Sequence, residues 1–97
     1  MNEHQHRLWL RMLRAIERYR DGAINLSSLV GELQGALDAG EFRDVALTDQ
    51  FYDFWSPLEI DNAVLGGEGK YEETRKEVDA MQRFLLEHLI TEQLESS

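Results

Sequence analysis

The sequence predicts an all-α protein: an antiparallel four-helix bundle formed as a single domain over residues 1–97. Three observations carry this expectation. Apolar residues recur at helical spacing in successive segments, no segment shows the alternation of a half-buried strand, and glycine-rich or capping stretches separate the segments. Long helices joined by short turns pack most simply as an antiparallel bundle. Ninety-seven residues with 42% apolar and 30% charged content have room for one modest core and are too apolar for disorder.

The first helix is expected over residues 5–20, where Trp9, Met12, Leu13, Ile16 and Tyr19 share a face opposite a series of arginines. "RDG" stops it, with Gly22 as the punctuation. Asn25 is placed to cap the second helix, and Ile24 and Leu29 stand at the spacing of a hydrophobic staple. Leu26, Leu29, Val30, Leu33 and Leu37 make its buried stripe, and Gly40 closes it. Gly31 and Gly35, inside that helix, either permit a close crossing or weaken it locally.

The third helix is expected to start near Thr48, with Phe51, Phe54, Trp55, Leu58, Asn62 and Leu65 turned inward. Its middle, "FYDFWSPLEID", crowds four aromatics, three carboxylates and the only proline into residues 51–61. Proline lacks an amide hydrogen and clashes with the preceding helical turn, but it suits the first position of a new helix. "SPLE" therefore reads as a capping box, and the third helix is expected to be kinked or split at Ser56–Pro57. Phe51, Phe54 and Trp55 keep helical spacing and are assigned to the core, while Tyr52 and Asp53 fall off the stripe and face solvent. Asn62 needs partners if buried, with Tyr19, Glu59 or a helix end within reach. "GGEG" then interrupts the chain. A final helix is expected over residues 71–93, with Thr74, Val78, Met81, Leu85 and His88 or Leu89 inward and the tail "LESS" frayed.

Chemistry-bearing patterns are sparse. Absence of cysteine removes disulfides and thiolate metal sites. "GGEGK" lacks the spacing and the hydroxyl of a phosphate-binding loop and reads as a linker. His4 and His6, and His88 with Glu92 one turn on, are the only arrangements that suggest metal, and exposed hydrogen bonding is the simpler reading of each. Asp53, Glu59 and Asp61 would need converging geometry for acid–base work, and Glu59 already serves as a cap. Arg7, Arg11, Arg14 and Arg18 form a ladder without interleaved aromatics, so a solvated or acid-paired face is expected. Hence no enzyme activity, cofactor or metal is expected. No apolar run reaches a membrane span and the N-terminus has no signal-peptide pattern, so a cytoplasmic location is the expectation.

Charge is the most informative property. The net charge is −9, and residues 41–69 hold seven acids against the single base Arg43. Such a surface repels nucleic acid and anionic membrane and favours a basic protein partner. The candidate partner-binding residues are Asp44, Asp49, Asp53, Asp61 and Glu68, and the alternative is that they only solubilise the chain. Leu8, Leu10, Ile60, Val64, Leu86 and Ile90 lie beside the main stripes, so a self-associating module, possible as a homodimer, is the second reading.

"AIERYRDGAINLSSLVGEL" followed by the aromatic "FYDFWSPLEIDNAV" resembles the small bacterial helical proteins of the colicin-immunity type, the colicin D immunity proteins among them. The resemblance covers residues 10–65 and is carried by Tyr19, Gly22, Ile24, Leu29, Phe51, Trp55, Leu58 and Glu59, with Pro57 a departure from the continuous helix of such proteins. It implies an inhibitor of a basic toxin such as a nuclease. Clustered carboxylates would then occupy a site built to hold phosphates.

Overall fold

In the computed structural model, which describes residues 2–65 and 72–96, four helices follow one another: α1 (Glu3–Arg20), α2 (Leu26–Gly40), α3 (Val45–Leu65) and α4 (Glu72–Ser96). Among the described residues there is no strand, so the fold is all-α. Each helix packs on its chain neighbours, and α1 also packs on α4, which closes the ring. Cross-contacts run in opposite order along neighbouring helices. His4 and Gln5 reach the carbonyls of Ala39 and Gly40, while Arg11 reaches Glu32. Phe54 stacks on Phe84, whereas Asp61 meets Thr74.

The helix ends follow local chemistry. Asn2 and Gln5 form a reciprocal capping box at the start of α1, each side chain bonding the other's backbone amide at 2.8 and 3.2 Å. At its far end, Gly22 takes φ +79°, and the amides of Gly22 and Ala23 bond the carbonyls of Tyr19 and Arg18. That pair of bonds is a Schellman closure, which satisfies carbonyls the helix would otherwise leave open. Asn25 caps α2 as expected, accepting from the Ser28 amide at 2.9 Å.

Gly40 ends α2 for a reason the sequence does not show. The left-handed residue is its neighbour Glu41, at φ 48° and ψ 47°. Gly40 is needed for space, because a Cβ there would lie 2.3 Å from the Phe42 ring. Phe42 covers that end of the core, meeting Trp9 edge-on at 5.6 Å.

The core is close to the expected stripes. Trp9, Met12, Ile16, Leu26, Leu29, Leu33, Phe51, Leu58, Thr74, Val78, Met81 and Leu85 are essentially solvent-free. Both tryptophans also bond across helices: Trp9 Nε1 donates to the Leu85 carbonyl at 2.8 Å and Trp55 Nε1 to the Val30 carbonyl at 3.0 Å. A buried indole N–H without an acceptor would be costly, and these bonds remove that cost. Phe54 and Asn62, expected inward, are half-buried, and Tyr52, expected in solvent, is half-buried between Phe51 and Trp55.

Three expectations about helix boundaries need correction. α3 begins at Val45, not near Thr48: Asp44 supplies the cap, its Oδ1 accepting from the Leu47 amide at 3.1 Å. Thr48 sits inside the helix, its hydroxyl donating back to the Val45 carbonyl at 3.0 Å. Of the two alternatives expected at Ser56–Pro57, a kink or a split, the split does not occur, since a single helix runs through Pro57. Lacking an N–H, Pro57 leaves the Asp53 carbonyl without its usual donor, but Asp53 is exposed and water can replace it. Burial of Phe51, Trp55 and Leu58 holds the helix on both sides of the proline. Finally, α4 extends to Ser96, beyond its expected end at residue 93.

Candidate protein-binding face

The five acids expected to form one site do not lie together. Asp44 and Asp61 stand 17 residues apart along α3, which is about 25 Å at the rise of an α-helix. Asp44 is occupied as the α3 cap. Asp61 is half-buried and turned toward α4, where its Oδ2 accepts from the Thr74 hydroxyl at 3.0 Å. It is therefore not the solvent-facing acid the sequence suggested. Glu68 lies outside the described residues. Asp49 and Asp53 remain, exposed and one turn apart on the outer face of α3. Among the described residues, no hydrogen bond or ion pair engages either side chain.

The same outer face carries apolar residues. Val45, Asp49, Asp53, Ile60 and Val64 follow at helical spacing, so one stripe runs the length of α3 on the side away from Phe51, Trp55 and Leu58. Val45 is 69% exposed, Ile60 60% and Val64 75%, so none of the three belongs to the core. Val45 was not singled out from the sequence, although its place one turn before Asp49 is the signal that could have found it. Of the other apolar positions expected outside the core, Leu86 and Ile90 are exposed on α4, whereas Leu8 and Leu10 are half-buried.

The basic residues are partly spent within the molecule. Arg7 pairs with Glu3 at 2.9 Å, Arg11 approaches Glu32 of α2 at 3.8 Å, and Arg20 bonds Asp79 and Gln82 of α4. The arginine ladder is thus in part an acid-paired face.

The histidines do not converge on a metal. His4 Nε2 meets the Ala39 carbonyl at 3.2 Å, and His88 lies against Trp9 with its Nε2 3.6 Å from Glu92. Among the described residues, no group of three or more His, Asp or Glu side chains is placed to hold a metal ion.

A second polar cluster sits where α3 ends and α4 begins. Thr74 is fully buried, and its bond to Asp61 ties the two helices. One turn further along α4, Glu77 Oε2 is sealed from solvent, and among the described residues no donor reaches it. Burial, the neighbouring Asp61 carboxyl and the charge of Glu73 together push the Glu77 carboxyl up to about 7. Glu77 carried no pattern that the sequence could expose, because its role depends on the register of α4 against α3.

Comparison with family models, curated proteins and solved structures gave no match. Among the described residues, no helix is long and apolar enough to cross a membrane.

Proposed function

We propose that this chain is a small, non-enzymatic protein-binding protein that docks a basic partner domain through the outer face of α3. The observation that carries the reading is the exposed stripe in which Asp49 and Asp53 stand between apolar ends, Val45 on one side and Ile60 with Val64 on the other. Charge of that sign speeds encounter with a basic surface, and burial of the apolar ends then slows dissociation. Fully burying a Val or Ile side chain contributes about 1.5–3 kcal/mol, so the ends can supply affinity that exposed carboxylates alone do not. In its most specific form, consistent with the colicin-immunity-type resemblance, the partner is a basic toxin such as a nuclease, and Asp49 and Asp53 stand where its substrate phosphates would. The protein would act in the cytoplasm, where the toxin meets its substrate.

The test is capture of partners from the native cell with the tagged chain at moderate salt, beside the double variant Asp49→Lys/Asp53→Lys. A basic protein held by the parent and lost by the variant is the expected result. Equal retention by both removes the acidic face from the reading. The second reading, self-association through Ile60, Val64, Leu86 and Ile90, is favoured by their exposure. It predicts a dimer in sedimentation at high concentration, and a monomer there eliminates it.

A further inference from the structure

We propose that Asp61 and Glu77 form a proton-sharing clasp between the end of α3 and the start of α4, closed while one proton lies between the carboxyls and loosened when it leaves. The geometry is specific. Thr74, fully buried, donates its hydroxyl to Asp61 Oδ2 at 3.0 Å and so fixes that carboxyl against α4. Glu77 follows Thr74 by three residues, on the same face of α4, and its Oε2 is sealed from solvent with no hydrogen-bond partner among the described residues. A hydrogen bond between two carboxyl groups requires a proton on one of them, because two carboxylate ions only accept. Asp61 also lies near the C-terminus of α3, where the helix dipole disfavours negative charge.

On α4, Glu73 adds repulsion to Glu77. From α1, the Tyr19 phenol is pushed up chiefly by burial, with Asp61 acting in the same direction and Arg75 and Arg20 against it. Arg20 is itself held by Asp79 and Gln82. α2 does not pack on α4, so among the described residues these are the groups that face the cluster.

The sign follows from linkage. With Glu77 moved from 4.5 to about 7, the folded chain holds more protons than the unfolded one between those values. The clasp's contribution is therefore complete below the lower value and is lost as pH rises through the upper one. The last turns of α3 carry Ile60 and Val64, so proton loss would loosen one end of the docking stripe. That consequence rests on the docking reading; the clasp itself does not.

The experiment is nuclear magnetic resonance on the full chain. The Glu77 side-chain carboxyl is titrated, and amide exchange protection is followed from pH 5 to pH 8, corrected for intrinsic rates. A Glu77 midpoint near 7 is expected. Protection in residues 58–64 and 76–80 should fall about tenfold or more over that range, while Leu29 and Leu33 of α2 hold theirs. Glu77→Gln, whose amide donates permanently, should flatten the dependence, and Asp61→Asn serves the same purpose if the first variant fails to fold. An ordinary carboxylate midpoint at Glu77, or unchanged pH dependence in a folded variant, overturns the clasp. Loss of partner capture with this titration intact would instead count against the docking reading alone.

Discussion

Replacing Pro57 by alanine separates the two ways α3 could be built. In the structure Pro57 lies inside a continuous helix of 21 residues, leaving one carbonyl without a helical donor. Proline in a helix interior is about 3 kcal/mol less favourable than alanine. Two terms offset part of this. The proline stiffens the unfolded chain by about 0.4–1 kcal/mol, and its half-buried ring contributes up to roughly 1 kcal/mol of apolar burial. Pro57→Ala should therefore stabilise the protein by about 1–2 kcal/mol, which raises Tm by roughly 5–15 °C for a domain of this size. Thermal and urea melts followed by far-ultraviolet circular dichroism, at one pH and one concentration, read the change. Ser56→Ala is the companion measurement: with Ser56 inside the helix it should shift stability by under about 0.5 kcal/mol, whereas loss of a true cap costs about 1 kcal/mol. An unchanged or lowered Tm for Pro57→Ala, together with a costly Ser56→Ala, would refute the continuous helix and restore a break at Ser56.

The other end of the α2–α3 connection gives two more predictions. Gly40→Ala should destabilise by about 1–2 kcal/mol, because the new Cβ drives the Phe42 ring off Trp9; a melt and the near-ultraviolet signal of Trp9 both report it. Glu41→Gly should raise stability by about 0.5–1 kcal/mol, since a left-handed residue at a helix C-terminus favours glycine, and a fall in Tm would contradict the assigned backbone.

Much of the fold was legible because helices are written locally. The α2 stripe of Leu26, Leu29, Val30, Leu33 and Leu37 is buried throughout, and the Asn25 cap and the Gly22 stop formed as their chemistry demands. The failures share one cause. "SPLE" is a sound capping box in isolation, yet Phe51, Trp55 and Leu58 are buried on both sides of its proline, and packing of that extent outweighs a local preference worth a few kcal/mol. Gly40 was read as a conformational stop when the constraint was a neighbouring ring.

The candidate site was legible only in part, for a related reason. Asp49 and Asp53 are exposed as expected, but Asp44 went to a helix cap and Asp61 to a bond with Thr74, 13 residues away in sequence. Charge density along a chain counts acids without saying which face each occupies. Val45 joined Ile60 and Val64 on the outer stripe only because α3 begins earlier than its best-looking cap.

By itself the sequence determined that this is a four-helix, all-α chain with an acidic middle segment, because periodicity, caps and charge are properties of neighbouring residues. Tertiary structure decided that Pro57 stays inside a helix, that Asp53 faces water while Asp61 meets Thr74, and that Gly40 makes room for Phe42. Each of those depends on the register of one helix against another, which is set by how side chains far apart in sequence fill a shared volume.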